Sequence, residues 1–334
     1  MATILITGAT SGLGLSHAIY LTSLGHTVIG TSRNASKIDR QQLKDVFLRD
    51  HLKYRFTTPD RTQFASAGSY LSASFQNSLT AWLDKIHFIS VDITKMDSVR
   101  AGVDQVVSYC ATHSCTLDVL INNAGNGYFG AIDDLDMQQI LDQFEINYFG
   151  QIRMIKAVTP LFRSQGSGLI LNTASMAGLI SIPFEGHYSA SKAAIIRMSE
   201  SLRMELAPFG IRVVCLILGD INTSFNLHTA QLHGQPSPAS SSDLTPLLTG
   251  NPLPRASPYY NLSQEPWKRI IQNLLVSPPP LVVSRKIGTI LTIKTPKVHY
   301  LIGSLTQKLQ MWAIRRVASN EFSLDGAASF FGMK

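Results

Sequence analysis

Six short apolar runs alternate with helix-length segments along this 334-residue chain. The apolar runs fall at residues 3–7, 27–31, 86–90, 117–121, 168–173 and 211–217, and helical patterns cover 12–24, 96–112, 136–163 and 187–207. A strand, a helical crossover and a second strand make a βαβ unit, whose strands are parallel because the crossover returns the chain to the same edge. Repetition of this βαβ unit along the chain predicts one doubly wound α/β domain around a mainly parallel sheet.

Two stretches interrupt the alternation. Residues 34–85 are too long for an ordinary crossover and predict an insertion after the second strand, most simply a tolerated surface excursion, with a lid or an oligomer contact as alternatives. Residues 226–265 hold six prolines and predict a long mobile loop after the last core strand. Disorder or several short helices in this loop would both fit the sequence. We therefore expect a core at 1–225, with a substrate loop and C-terminal helical extension at 226–334 packed on the same domain.

Composition narrows the class of protein. Cys110, Cys115 and Cys215 have neither disulfide-framework nor zinc-ligand spacing, which predicts no metal site and favours a reducing, cytoplasmic compartment. The apolar runs are strand-sized, shorter than the roughly 20 residues of a membrane-spanning helix. No basic n-region or apolar h-region precedes the first strand, which argues against a secretory signal.

The net charge of +7 is concentrated at one end, because residues 266–334 carry ten basic and two acidic side chains. Residues 305–317 mix basic and apolar side chains in a way compatible with an amphipathic helix on an anionic membrane surface. A solvated basic face is the simpler interpretation of the same pattern. No nucleic-acid-binding motif accompanies the charge, so nucleic acid is not expected as a partner.

A glycine-rich turn joins the first strand to the first helix. Residues 7–14 read TGATSGLG, with glycines at 8, 12 and 14. Glycine lets the backbone turn sharply and approach a pyrophosphate, whose charge the amides at the helix N-terminus then stabilise. A simple tight turn is the alternative, but the strand before and the helix after favour a dinucleotide site in a Rossmann-type fold.

Residues at the ends of the second and third strands are expected to contact the adenosine part of such a cofactor. NAD sites usually place an acidic residue after the second strand, whereas Ser32 and Arg33 stand here and suit a 2′-phosphate, which predicts NADP(H). A solvent-facing Arg33 is the alternative. Asp92 ends the third strand, where its carboxylate can accept a hydrogen bond from the adenine amino group or, alternatively, cap a helix.

Tyr188 and Lys192 stand four residues apart at the start of a predicted helix. At that spacing the two side chains share a helix face. An ammonium group beside a phenol favours the ionised phenol, which predicts a lowered pKa for Tyr188 and proton exchange near neutral pH. An incidental surface pair is the alternative.

Together these motifs resemble the short-chain dehydrogenases/reductases of the TGxxxGxG and YxxxK type, over residues 1 to about 225. Residues 122–125 resemble the family's NNAG motif, and Asn147 matches its active-site asparagine. Ser175, thirteen residues before Tyr188, matches its catalytic serine. The resemblance implies that the catalytic residues are Asn147, Ser175, Tyr188 and Lys192.

The resemblance also implies a role for each of these residues. Tyr188 would give a proton to a carbonyl oxygen that Ser175 orients, Lys192 would grip the nicotinamide ribose, and Asn147 would hold a water linking Lys192 to solvent. The expected NADP(H)-binding residues, from the turns above and the resemblance, are Gly8, Thr10, Ser11, Gly12, Leu13, Gly14, Ser32, Arg33, Asp92, Ile93, Asn123, Ala124, Gly125, Tyr188, Lys192, Gly219, Ile221 and Thr223.

One position departs from the family pattern. Leu218 stands where many members have a proline, which predicts a looser turn after the sixth strand. Gly219 and Thr223 still fit a loop that binds the nicotinamide carboxamide.

The substrate class is implied by a closer resemblance. Residues 182–188 and 199–210 resemble the 17β-hydroxysteroid and retinol dehydrogenase subgroup, which acts on bulky apolar alcohols and ketones. Residues 296–303 resemble the last strand of that subgroup, and in this chain they follow a predicted helix at about 281–294. His187, beside Tyr188, is expected to be structural. Apolar residues of the long loop either close over the substrate or simply pack the loop against the body: Phe225, Leu227, Leu244, Leu247, Leu248, Tyr259, Tyr260 and Trp267.

The sequence thus predicts NADPH-dependent reduction of a ketone or aldehyde, or the reverse oxidation, on a bulky hydrophobic substrate such as a steroid-, retinoid-, lipid- or polyketide-like molecule. A homodimer through the helices near 136–163 and 187–207 is expected. One alternative is a catalytically silent NADP(H)-binding regulator, but the presence of all four expected catalytic residues argues against it. The other is a membrane-surface protein that works through its basic C-terminus, so the expected location is cytoplasmic with membrane association as an option.

Overall fold

A computed structural model describes residues 1–52, 72–232, 247, 250–309, 326 and 328–333. Its strands are β1 (Thr3–Ile6), β2 (Thr27–Ser32), β3 (His87–Ser90), β4 (Leu117–Asn122), β5 (Gly168–Ser175), β6 (Ile211–Leu218) and β7 (His299–Ile302). Its helices are α1 (Gly12–Ser23), α2 (Arg40–Leu52), α3 (Ala73–Lys85), α4 (Met96–Thr112), α5 (Met137–Phe144), α6 (Gly150–Gln165), α7 (Gly186–Leu206), α8 (Phe225–Leu232), α9 (Tyr260–Val276) and α10 (Leu281–Leu291). The strands predicted from the sequence are confirmed within a few residues at their ends.

Within the described residues, seven strands form one sheet in the order β3-β2-β1-β4-β5-β6-β7. Every neighbouring pair is parallel. The strand order reverses between β1 and β4, and ligands of such sheets bind beyond the carboxyl ends of the strands at that reversal. The predicted α/β, doubly wound Rossmann-type fold is therefore confirmed, and its carboxyl edge is the place to look for a site.

Apolar side chains cover both faces of the sheet, as expected for parallel strands sandwiched between helices. One face packs against α1 and α10 through residues such as Leu15, Ile19 and Ile287. The other face packs against α4 and α6 through Val106 and Phe162. These two layers of core fix the carboxyl ends of the strands relative to one another.

Three predicted segments differ from the expectation. The helical pattern at 136–163 is divided, because a π-helical turn (Glu145–Phe149) separates α5 from α6. The inserted segment 34–85 contains α2 and α3, while residues 53–71 lie outside the described residues. The predicted loop at 226–265 is helical at both ends, in α8 and the start of α9, which agrees with the alternative of several short helices; residues 233–246 and 248–249 lie outside the described residues.

A third hydrophobic cluster joins the C-terminal extension to the body. The ring of Trp267 is 1% exposed, lies 5.0 Å edge-on from the ring of Phe129 and donates its Nε1–H to the Leu247 carbonyl at 2.9 Å. Phe184 stacks on the other side of Phe129, with ring centroids 5.5 Å apart, and Tyr259 packs against the same cluster. Trp267, Leu247 and Tyr259 therefore pack the extension against the body, which agrees with the second of the two alternatives for these residues.

Other predictions fall outside the described part of the chain. Leu244, Leu248, the side chain of Leu227 and residues 310–317 of the basic segment belong to this group. None of the helices that the structure describes has both the length and the apolar character needed to cross a membrane.

Candidate active site

A cavity of about 1490 Å³ lies along the carboxyl edge of the sheet. Most of the residues predicted from the sequence line it: Gly8, Thr10, Ser11, Gly12, Leu13, Ser32, Arg33, Asp92, Ile93, Asn123, Ala124, Gly125, Ser175, Tyr188, Lys192, Gly219, Ile221 and Thr223. Gly14 and Asn147 are buried and do not line the cavity. The fold thus brings residues from six different strand ends to one continuous wall.

The glycine-rich turn has the geometry of an anion-binding site. Gly8 and Gly12 have φ angles of 66° and 48°, a left-handed conformation that favours glycine. A Cβ on Gly14 would lie 2.1 Å from the Gly8 carbonyl oxygen, so the helix can approach the turn only without a side chain there. The Ser11 side chain forms no capping hydrogen bond to α1, which leaves the first N–H groups of the helix available to a ligand. The turn therefore fits the pyrophosphate of a dinucleotide.

Hydrogen bonds of one hydroxyl and several side-chain amides hold this turn and the neighbouring strands together. Thr7 Oγ1 accepts hydrogen bonds from the backbone N–H groups of Asn123 at 2.9 Å and Ala124 at 3.0 Å. Asn123 Nδ2 donates in return to the Thr7 carbonyl at 3.0 Å. Asn122 Nδ2 donates to Asn172 Oδ1 at 2.9 Å. These bonds lock the ends of β1, β4 and β5 together behind the cavity.

The adenosine end of the cavity contains Ser32, Arg33 and Asp92. Arg33 is exposed. Asp92 Oδ1 accepts from both the backbone N–H and the hydroxyl of Thr94, at 3.0 and 2.7 Å. Burial pushes the pKa of Asp92 up, but the Thr94 hydrogen bonds and the charges of Lys95 and Arg33 outweigh it and hold the pKa below its ordinary value. One oxygen of Asp92 therefore closes a local turn, and its contact with adenine stays a prediction.

Tyr188 and Lys192 lie in the first two turns of α7, on the face that meets the cavity. Lys192 Nζ is 5.6 Å from the centroid of the Tyr188 ring and donates to the Thr173 carbonyl at 3.2 Å. Ser175 lines the same cavity, and its side chain acts to lower the pKa of the Tyr188 hydroxyl. Ser175 is the last residue of β5, and its Oγ accepts from the Ala177 N–H at 3.1 Å, which fixes the hydroxyl at the mouth of the strand.

The electrostatics of this pair differ from the expectation. Burial, followed by the negative charge of Glu185, raises the pKa of Tyr188 well above its ordinary value, and the Ser175 side chain offsets only part of that rise. Burial also lowers the pKa of Lys192 to about 8. The predicted net lowering of the Tyr188 pKa is therefore wrong in this structure, because burial disfavours both charged forms at once.

Asn147 lies in the π-helical turn, behind the cavity wall. Its Oδ1 accepts from the Asn126 N–H at 2.9 Å, and its Nδ2 donates to the Asn126 carbonyl at 2.9 Å and to Ser191 Oγ at 3.1 Å. A Cβ on Gly125 would lie 3.0 Å from Asn147 Oδ1 and 3.5 Å from Lys192 Nζ. Asn147 and Lys192 therefore flank Gly125 closely, while the water that Asn147 was expected to hold stays a prediction.

The loop after β6 is anchored even though Leu218 stands in place of proline. The Gly219 N–H donates to the Ile302 carbonyl at 2.7 Å, and the Asn222 N–H donates to the Pro278 carbonyl at 3.0 Å. Leu218 itself is buried and pairs with Ile302 of β7. The hydrogen bond from Gly219 to β7 thus holds this turn in place, although the sequence predicts a looser turn.

Two acidic residues of the cavity were missed by the sequence reasoning. Glu185 precedes α7 and makes no side-chain capping bond to it. Burial, with a contribution from Asp220, raises the pKa of Glu185 to about 8. Asp220 is exposed, and its carboxylate accepts from Gln307 Nε2 at 2.7 Å. The sequence carried a signal for Glu185 alone, because a residue three positions before Tyr188 can share its helix face.

Apolar side chains also line the cavity, together with polar ones such as Asn273 and Ser277. The Phe225 ring centroid lies 5.7 Å from that of Tyr188. His187, in contrast, does not line the cavity and its Nε2 lies 3.2 Å from the Ile132 carbonyl oxygen. The apolar residues of the cavity wall include Ile180, Ile182, Phe225, Ile270, Leu274 and Val276.

Known proteins resemble the chain in both sequence and fold. The family model described as short chain dehydrogenase matches residues 64–231. The chain is 35% identical over 234 residues to a 3-ketodihydrosphingosine reductase from Bacteroides thetaiotaomicron, covering 70% of this chain and 69% of that protein. It is 37% identical over 141 residues to short-chain dehydrogenase PC-15 from Penicillium crustosum, covering 42% of this chain and 51% of the relative.

A similar structure supports the same assignment. A short-chain dehydrogenase from Streptomyces avermitilis matches with a TM-score of 0.64 and 25% identity, covering 94% of each chain. ElxO with NADP bound matches with a TM-score of 0.60 over 90% of this chain and 96% of that one, and at 19% identity this is a likeness of fold alone. The chain therefore belongs to the short-chain dehydrogenase/reductase family.

Proposed function

We propose that the protein catalyses the NADPH-dependent reduction of a ketone or aldehyde, or the reverse alcohol oxidation, on a bulky hydrophobic substrate. The observation that carries the proposal is the position of Tyr188, which lines one cavity with Ser175 and has Lys192 Nζ 5.6 Å from its ring centroid. This group lies in the same cavity as the glycine-rich turn. A proton donor and a dinucleotide cradle thus share one space.

Separate parts of the cavity wall suit separate parts of the cofactor. The turn at Gly8–Gly14 would hold the pyrophosphate, and Ser32 with Arg33 would hold the 2′-phosphate. Lys192 would hold the nicotinamide ribose, and the segment from Gly219 to Thr223 the carboxamide. When bound, the nicotinamide supplies or accepts the hydride.

The protein's part of the chemistry is proton transfer and orientation. As a carbonyl is reduced, negative charge grows on its oxygen, and Tyr188 gives that oxygen a proton while Ser175 donates a second hydrogen bond. A raised pKa keeps the Tyr188 phenol protonated at neutral pH. The phenol is therefore present in the form that can give a proton to the carbonyl oxygen.

Apolar side chains in the cavity wall support the proposed substrate class. Ile180, Ile182, Phe225 and Leu274 offer apolar surface to the part of a substrate that does not react. Burying such a portion is favourable by about 25 cal/mol per Å² of apolar surface. A bulky apolar ketone or aldehyde is therefore preferred over a small polar one.

The test is oxidation of NADPH by the purified protein against a panel of apolar ketones and aldehydes, with NADH in parallel. We expect turnover with the larger apolar carbonyls and a preference for NADPH. Faster turnover with NADH would refute the assignment of Arg33 to the 2′-phosphate. Activity confined to small polar carbonyls would refute the bulky-substrate assignment.

We also propose a homodimer through α5, α6 and α7. Large apolar side chains are exposed on α5 (Met137 at 63%, Leu141 at 55%), on the π-helical turn before α6 (Phe149 at 46%) and on α7 (Met204 at 71%). Covering such side chains is favourable. Sedimentation equilibrium should give twice the chain mass, and Leu141→Asp should weaken the dimer; a monomer at micromolar concentration would contradict the proposal.

A further inference from the structure

The inserted helix α2 runs towards the carboxyl edge of the sheet. At its start, Arg40 donates to the carbonyl oxygens of Leu83 and Ile86, which precede β3 at the amino edge. Near its end, His51 donates from Nδ1 to the Phe47 carbonyl at 2.7 Å, which leaves Nε2 to accept from Ser16 Oγ at 3.4 Å. Ser16 lies in α1, close after the glycine-rich turn. The last turn of α2 is therefore held beside that turn.

Arg49 lies in this last turn and lines the same cavity as Ser11 and Arg33. Its side chain is 27% exposed, and its Nε lies 3.5 Å from Asp50 Oδ1. A guanidinium has five N–H donors, so an ion pair at one nitrogen leaves donors for a second anion. Two arginines from separate elements, Arg33 and Arg49, therefore border the same cavity as the glycine-rich turn.

We propose that Arg49 is a second guanidinium for the 2′-phosphate of NADP(H), shared with Arg33. A phosphate monoester accepts charge-assisted hydrogen bonds from two guanidinium groups and offsets their mutual repulsion. The inference rests on the proposed function, because that function supplies the NADP(H). It also gives the insertion at 34–85 a role, since α2 carries the cation to the cofactor edge.

The test compares direct binding of NADPH and NADH to the full-length protein, followed by the change in nicotinamide fluorescence. Arg49→Gln should raise the Kd for NADPH about tenfold, the effect of losing one hydrogen-bonded charge, and leave the Kd for NADH unchanged. Adenosine 2′,5′-bisphosphate should compete less well with the variant than with wild type, whereas 5′-AMP should compete equally. These readouts need no turnover.

Two further variants make the result specific. Lys44→Gln removes the same charge from the same helix, but Lys44 Nζ donates to Thr80 Oγ1 at 3.1 Å and does not line the cavity; its Kd values should match wild type. Arg49→Lys keeps the charge but not the forked donor geometry, so it should show a smaller loss for NADPH and guards against a folding defect in Arg49→Gln.

Other outcomes overturn the proposal in distinguishable ways. Unchanged NADPH binding in both Arg49 variants, or equal weakening of NADPH and NADH, would show that Arg49 does not read the 2′-phosphate. If the wild type itself binds NADPH no more tightly than NADH, the cofactor assignment in the proposed function fails. A wild-type preference for NADPH that survives Arg49→Gln contradicts this inference alone.

Discussion

Replacing Gly14 with alanine tests the geometry of the phosphate turn. The added Cβ would lie 2.1 Å from the Gly8 carbonyl oxygen and 2.6 Å from Asn123 Nδ2, where ordinary contact begins at 3.4 Å. The nearest atom belongs to the backbone, so α1 or the turn must move by roughly 1 Å, and overpacking of this kind costs about 1–3 kcal/mol. Helix propensity alone predicts the opposite sign, because alanine is favoured over glycine in a helix by about 1 kcal/mol.

Gly288→Ala is the matched control for this prediction. Gly288 lies in α10, and its added Cβ would meet only side-chain atoms of Tyr20 and Leu24, at 3.1 and 3.2 Å. These side chains can shift, so the gain in helix propensity of about 1 kcal/mol should balance or exceed the crowding.

Urea unfolding and NADPH binding supply the measurements for the two glycine variants. Gly14→Ala should lower the free energy of unfolding by about 1–2 kcal/mol and weaken NADPH binding, whereas Gly288→Ala should leave binding intact. If Gly14→Ala is as stable as wild type and binds NADPH equally well, the close approach of α1 to the turn is not needed, and the assignment of this turn to the pyrophosphate is refuted.

Three further predictions concern stability, and each is checked by unfolding measurements. The pKa of Glu185 is raised to about 8 from 4.5, so between these pH values the folded state holds a proton that the unfolded chain releases. The free energy of unfolding therefore falls as pH rises from 4.5 through about 8. Glu185→Gln should abolish that fall. Burial lowers the pKa of His17 to about 3 from 6.5, so stability is fully present above pH 6.5 and is lost as pH falls towards 3; a variant His17→Asn that keeps the same acid slope contradicts this. Trp267→Ala should cost about 3–5 kcal/mol, and Trp267→Phe clearly less because a ring still packs on Phe129; equal losses would show that the ring contacts do not carry the cluster.

Much of the fold and the site could be predicted because their signals are local. The glycines at 8, 12 and 14 stand in one turn, and Tyr188 and Lys192 stand on one helix face. Each strand end that the sequence located is brought to the carboxyl edge by parallel topology alone. For that reason the cavity contains most of the predicted residues.

The rest depends on burial and long-range packing, which leave weak marks in a sequence. Trp267 looked like a loop residue because prolines surround its segment, yet its partner Phe129 lies far away in the chain. The sign of the Tyr188 pKa was wrong because helix spacing reveals the nearby ammonium but not the burial or the neighbouring Glu185. The role inferred for Arg49 needed the direction of α2, which no local pattern gives.

The most direct test of the account is the Tyr188→Phe variant, assayed for reduction of an apolar ketone that the wild type turns over with NADPH. Phenylalanine keeps the ring against Phe225 and removes only the hydroxyl that would protonate the carbonyl oxygen. We predict a loss of kcat of about 10²–10⁴-fold, with a much smaller change in the Kd for NADPH. A variant that binds NADPH and reduces the ketone at the wild-type rate would contradict the assignment of Tyr188 as the proton donor.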